Sequence, residues 1–130
     1  MKRQSTVNSR QSTVSPRGRA ITFKTVLKVG LALEGTEEGT SYGTPALKVK
    51  GKLYARLRED GRTLAVRTSF LDRDALLQLD PGTFFLTDHY RDYPWVLVRL
   101  TTVGSKRLRE VLEQAWRLSA PRPQRARRKP

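Results

Sequence analysis

Apolar and polar residues alternate between Leu47 and Arg67, and two short polar segments that contain glycine interrupt the alternation. A stretch of this kind forms strands with one buried and one exposed face. The first interruption is Lys50-Gly51-Lys52, and the second is Glu59-Asp60-Gly61-Arg62. The pattern therefore predicts an antiparallel sheet built by successive hairpins, in which each turn fixes which side chains share a face.

The first turn decides the register of the first two of these strands. A two-residue turn at Lys50-Gly51 would pair Val49 with Lys52 and place a lysine in the core, whereas a three-residue turn pairs Val49 with Leu53. We therefore expect the three-residue turn. That register brings a set of cations and one phenol together on the face away from the core or at the turn tip: Lys48, Lys50, Lys52, Tyr54, Arg56, Arg58 and Arg67.

Helical patterns flank the hairpins. Ser69 and Asp72 are spaced as a capping box, and apolar residues recur at helical spacing after Ser105. The predicted elements outside the hairpins are helices from Thr22 to Gly35, from Ser69 to Leu79 and from Ser105 to Pro121, and strands at residues 83–87 and 95–101. The expected order is α-β-β-β-α-β-β-α, an α+β two-layer sandwich with the helices on one face of an antiparallel sheet, and Glu37 and Glu38 lie in a connection.

The net charge of +14 lies mainly at the two ends of the chain. Ten cations and no acids occur in residues 1–20 and 121–130, which leaves +4 on residues 21–120. We expect the two ends to be disordered basic tails and the middle to be one domain. The first tail is rich in Arg and Ser, as organelle transit peptides are, but it lacks their amphipathic periodicity.

Residue counts exclude several classes of site. The chain has no cysteine and one histidine, so disulfides, thiolate metal sites and histidine-rich metal sites are excluded, and we expect no metal and no cofactor. The longest apolar stretch near the start is interrupted by Lys28, so neither a membrane span nor a signal peptide is expected. The expected location is the cytoplasm.

The aromatic loop, residues 88–94, precedes the last predicted strand. His89, Tyr90, Tyr93 and Trp95 lie within seven positions and are candidates for contact with a partner or ligand. A general-base role for His89 would need a nucleophile or a phosphate-binding loop, and neither motif occurs. We expect no catalytic residues and no small-molecule substrate, and the simpler interpretation is that the loop packs over the sheet.

Several segments in order resemble the MmcQ/YjbR family of small bacterial proteins: residues 38–55, Phe84-Phe85, residues 89–96 and residues 113–117. The resemblance covers about residues 22–120. It implies a two-layer α/β fold similar to frataxin-like (CyaY-like) and secretion-chaperone-like domains. The paired hairpins of the family have been likened to a double-wing DNA-binding motif, and no catalytic residues are established for it.

Two functions from different classes follow from these observations. The first is weakly sequence-specific, non-enzymatic contact with DNA or another polyanion through the basic hairpin and the tails. The alternative is a homodimeric protein-interaction module that uses an exposed face at Trp95 and Leu97, since the last strand is apolar on both sides. A simpler interpretation is that the cations on a solvated sheet face only keep the exposed sheet soluble and bind no partner.

Overall fold

The computed structural model describes residues 21–120. The elements are α1 (Phe23–Leu31), β1 (Thr36–Ser41), β2 (Thr44–Val49), β3 (Lys52–Leu57), β4 (Thr63–Arg67), α2 (Phe70–Leu79), β5 (Phe84–Phe85), a 3₁₀ turn (Asp88–Tyr90), β6 (Trp95–Arg99) and α3 (Ser105–Ser119). The α+β class is confirmed. The tails predicted at residues 1–20 and 121–130 lie outside the described residues.

The strands form one antiparallel sheet in the order β1-β2-β3-β4-β6-β5. Strand β1 was not expected, because Glu37 and Glu38 were assigned to a connection. It pairs with β2 through the turn Tyr42-Gly43, whose two residues have φ of 53° and 80°, the values that favour a two-residue hairpin turn. As an edge strand β1 buries little, which explains why it lacks an apolar pattern.

All three helices contribute to the core on one face of the sheet. The stripe predicted for α3 is confirmed, since Leu108, Leu112 and Ala115 are fully buried. Helix α1 approaches the sheet closely at Gly30, where an added Cβ would lie 2.4 Å from Leu47 Cδ1. The predicted cap of α2 is also present, as Ser69 Oγ accepts a 3.0 Å hydrogen bond from the backbone N–H of Asp72. Within residues 21–120 no helix is long and apolar enough to cross a bilayer.

The β2–β3 hairpin differs from the predicted register. The turn has two residues, Lys50 and Gly51, with φ of 51° and 79°, and it pairs Val49 with Lys52. The three-residue turn would also pair Leu47 with Ala55, and this pairing is present. The two-residue turn and the Leu47–Ala55 pairing occur together because Tyr54 is an extra residue in β3. It forms a β-bulge that shifts the register by one position.

The bulge turns Tyr54 into the core. Its side chain is 0% exposed among the buried side chains next to the helices, and Leu53 occupies the outer face instead. The predicted outward row of Lys48, Tyr54 and Arg67 was therefore wrong. The phenol forms a 2.8 Å hydrogen bond with Thr36 Oγ1, which satisfies its buried hydroxyl. Burial raises the pKa of Tyr54, and the bond to Thr36 offsets part of that rise.

We predict that Tyr54→Phe lowers the free energy of unfolding by about 1 kcal/mol, because Thr36 Oγ1 loses its buried partner. The raised pKa stabilises the wild-type fold below the phenol's ordinary pKa of 10.0, and this contribution is lost as the pH rises beyond it. Urea unfolding at neutral and alkaline pH should therefore show a steeper alkaline loss in the wild type than in the variant. Tyr42→Phe is the control, since Tyr42 is 87% exposed; an equal loss of stability in both variants would contradict the bulge.

Candidate functional site

The outer face of the sheet, opposite the helices, has a buried floor. One cross-strand row runs through Ala46, Arg56, Ala65 and Leu97. All four are buried, yet they lie outside the hydrophobic cluster that the helices cover. Something other than a helix therefore covers this face.

The aromatic loop provides that cover. The phenol oxygen of Tyr90 lies 3.4 Å from Nη1 of Arg56, and the ring of Tyr90 lies 5.2 Å from the guanidinium carbon of Arg58. The ring of His89 meets that of Tyr90 edge-on, with 4.8 Å between centroids. The loop thus extends from the β5–β6 edge across to β3.

Arg73 of α2 anchors the loop from behind. Its side chain is buried and donates hydrogen bonds to main-chain carbonyls, from Nη1 to Tyr93 at 2.8 Å and from Nη2 to Arg91 at 3.1 Å. Longer contacts of Nη1 reach the carbonyls of Tyr90 at 3.3 Å and Trp95 at 3.4 Å. A planar guanidinium suits this task, because it presents several donors in fixed directions.

Arg56 is held in place on the outer face. Its Nη2 lies 2.6 Å from Glu59 Oε2, and its Nε donates to the carbonyl of Ser41 at 3.2 Å. Its guanidinium carbon lies 5.1 Å from the ring centroid of Tyr42. Glu59 also meets Arg58 at 3.5 Å. A hydrogen bond from its own backbone N–H, together with Arg56 and Arg58, lowers the pKa of Glu59 despite some desolvation, so the carboxylate stays ionised between the two arginines.

These side chains enclose a cavity of about 350 Å³, which we call the aromatic cleft. Its walls and floor come from the hairpin, from β4 and from the aromatic loop: Tyr42, Leu53, Arg56, Ala65, His89, Tyr90, Tyr93 and Trp95. Tyr42 is 87% and Tyr93 is 56% exposed, so two phenol rings stand at its rim. Arg56 of the predicted cation patch and the aromatic loop, which the sequence suggested separately, thus line one site.

The predicted cations divide into three groups. Lys48, Lys50 and Lys52, which we call the hairpin lysines, remain accessible, with Lys48 half-buried and the other two exposed. Lys48 pairs across the strands with Leu53 at the cleft, and within residues 21–120 no carboxylate lies within ion-pair distance of the three lysines. Arg56 lines the cleft and Arg58 packs against the ring of Tyr90, whereas Arg67 lines a separate crevice between α2 and α3.

The exposed apolar strand expected at Trp95 and Leu97 is absent. Leu97 is only 1% exposed within this chain, and Trp95 is half-buried in the cleft. The expectation of an open Trp95/Leu97 face was wrong, because the aromatic loop covers the face of β6 that the helices leave free. The homodimer hypothesis therefore no longer has the exposed apolar face that motivated it.

Other features of the site bear on chemistry. His89 contacts the rings of Tyr90 and Tyr93, and among the described residues no hydrogen bond joins it to Asp88 or Asp92. Within residues 21–120 no three His, Asp or Glu side chains are grouped to hold a metal ion.

Tyr42 and Arg73 were not identified from the sequence as residues of the site. The Tyr-Gly pair was a signal for the turn that presents Tyr42, while nothing in the helical pattern distinguished Arg73.

The YjbR family model matches residues 31–118, which is most of the described domain. The chain belongs to the YjbR family. The resemblance of the hairpin, the aromatic loop and α3 to that family is thereby confirmed.

Relatives of this YjbR chain extend the comparison to sequences and to fold. Uncharacterised proteins of Mycobacterium tuberculosis (Rv2570) and Mycobacterium bovis (Mb2600) are each 42% identical over 48 residues. That match covers 37% of this chain and 37% of each relative, so the chain spans about a third of their length. The crystal structure of Deinococcus radiodurans protein DR2400, a DUF419 domain, superposes with a TM-score of 0.64 at 24% identity, covering 75% of this chain and 77% of that one. The similarity to DR2400 establishes the fold.

We predict that Arg73→Ala lowers the free energy of unfolding by about 3 kcal/mol and loosens the aromatic loop, because several carbonyls lose a charged donor. Arg73→Lys should restore little, since one ammonium cannot reach the same set of carbonyls. Amide hydrogen exchange of residues 88–94 measures the loop directly. Arg109→Ala, at an exposed position of α3, is the matched control; full rescue by lysine would contradict the anchoring role.

Proposed function

We propose that this YjbR protein is a non-enzymatic nucleic-acid-binding protein of low sequence specificity that contacts its partner through the outer face of β2 and β3. The observation that carries the proposal is the position of the hairpin lysines beside the aromatic cleft. Free cations bind phosphates, and neighbouring aromatic rings provide a surface for bases.

The hairpin lysines differ in their pairing from two of the arginines of α3. The Lys48 stem lies against Gly39, with an added Cβ at 3.5 Å from its Cδ, so its ammonium extends along the outer surface. On α3, by contrast, Arg107 pairs with Glu110 at 2.9 Å and Arg117 pairs with Glu113 at 2.6 Å. Two arginines of α3 are therefore neutralised, whereas within residues 21–120 the hairpin lysines form no ion pair. The exposed Lys24, Lys28 and Lys106 of the helices form none either among these residues, but they lie away from the aromatic cleft.

Within residues 21–120 we identify no recognition helix that would read base sequence in a duplex groove. Helix α3 buries its regular face against the sheet, and its outer face alternates in charge. Phosphate contacts position a nucleic acid but do not distinguish its sequence. The ten cations of residues 1–20 and 121–130 would add attraction of the same nonspecific, salt-sensitive kind.

The test is a salt titration of binding by the full chain. Replacing Lys48, Lys50 and Lys52 with Gln should weaken binding to a single-stranded oligonucleotide and reduce the slope of log K against log salt by about 2, since each phosphate contact contributes about 0.7. Fluorescence anisotropy at several salt concentrations gives both quantities.

The matched control removes the same charge from the helices. Lys24, Lys28 and Lys106 are all exposed, and a variant with glutamine at these three positions keeps the hairpin intact. Its slope should remain near that of the wild type. If both triple variants lose the same amount, the tails and overall charge account for the binding and the hairpin proposal fails.

A further inference from the structure

We infer that the aromatic cleft binds one unpaired nucleobase, so that the protein prefers single-stranded nucleic acid to duplex. This inference rests on the proposed function and names the form of its partner. It starts from the size of the cleft. A cavity of about 350 Å³ lies at the small end of ligand-binding sites and suits a single planar ring system.

The lining of the cleft favours a flat, aromatic occupant. Tyr42 and Tyr93 stand exposed at the rim, Trp95 forms part of the wall, and Ala65 leaves space on the floor. Large aromatic rings stack on the faces of bases, and this contact tolerates different sequences because every base has such a face. An aliphatic ligand would gain from burial against these rings, but it would not gain the stacking that a flat base provides.

Arg56 forms part of the wall of the cleft. The Arg56 guanidinium already donates to Ser41 and Glu59 and lies over the Tyr42 ring, while Arg58 lies over Tyr90. Because Arg56 is only 6% exposed and its donors are occupied, phosphate contact falls to other cations. The phosphates of the strand would be contacted by the hairpin lysines, of which Lys48 pairs across the strands with Leu53 of the cleft while its ammonium lies over Gly39 of β1.

Base faces are accessible only when the base is unpaired and unstacked. In a duplex the faces are covered by neighbouring base pairs, and only the edges are open in the grooves. Electrostatics alone would favour the duplex, which carries one charge per about 1.7 Å of axis against about 3.4 Å for one strand. A preference for the single strand would therefore indicate binding of a base in the cleft, since attraction by charge alone favours the duplex.

The experiment compares four ligands with the full chain: a single DNA strand of about ten nucleotides, the same strand with abasic sites, its duplex, and RNA of the same sequence. We expect the intact strand to bind at least about tenfold more tightly than the abasic strand and the duplex. Affinity for RNA should lie within about tenfold of that for DNA, because the cleft contacts the base and leaves the sugar outside. A difference of more than about tenfold between RNA and DNA would contradict the inference that the protein recognises the base.

Two single variants locate the contact. Tyr42→Ala and Tyr93→Ala should each weaken binding of the intact strand by about tenfold and leave binding of the abasic strand unchanged. Both side chains are exposed, and the Tyr93 carbonyl that Arg73 holds is retained. Leu71→Ala, on the 80% exposed Leu71 of α2, is the control and should change neither.

A second measurement does not depend on the tyrosine variants. Trp116→Phe leaves Trp95 as the remaining indole of the two in the chain. Thymidine monophosphate should quench its fluorescence, and deoxyribose 5-phosphate, which lacks the base, should not. Equal quenching by both would contradict base binding.

The two proposals fail in different ways. If intact and abasic strands bind equally well while the hairpin-lysine variant still loses affinity, the base-binding inference is wrong and the nucleic-acid proposal stands. If the hairpin-lysine variant binds every ligand as the helical control variant does, the proposed function itself fails.

Discussion

One extra residue in β3 decides what each face of the hairpin carries. Since side chains alternate along a strand, the bulge at Tyr54 allows a two-residue turn at Lys50-Gly51 and still pairs Leu47 with Ala55. The large phenol enters the core and bonds to Thr36, while Leu53 moves to the outer face. Lys52 remains in solvent at the tip, so no lysine is buried. The core and the outer site are thus two results of the same irregularity.

The outer face depends next on a contact between layers. Arg73 reaches from α2 to the carbonyls of the aromatic loop and fixes that loop over the sheet. With the loop in place, Tyr90 lies against Arg56 and Arg58, and Leu97 is shielded. The buried Arg73 guanidinium bonds through Nη1 and Nη2 to main-chain oxygens, whereas Arg56 and Arg58 pair with the carboxylate of Glu59.

Long periodic segments were predictable, and exceptions to alternation were not. The α3 stripe, the Ser69 cap and the strand at residues 95–99 followed from spacing and capping chemistry. Strand β1 was missed because an edge strand has no buried face to record in its sequence. The bulge was missed because strict alternation appeared to exclude a two-residue turn, and the phenol's bond to Thr36 is visible only in three dimensions. His89, Tyr90, Tyr93 and Trp95 were identified as a group, but their meeting with Arg56 depends on tertiary packing.

The central claim is that the face of the sheet without helices is the binding surface, and a map of the contact tests it most directly. Titration of the isotopically labelled protein with a single DNA strand, followed by amide chemical shifts, locates the ligand residue by residue. The account predicts shifts concentrated in residues 42–58 and in the aromatic loop, with α1 and α3 unchanged. Shifts confined to the helices or to the chain ends, with the aromatic loop and the β2–β3 hairpin unaffected, would contradict it.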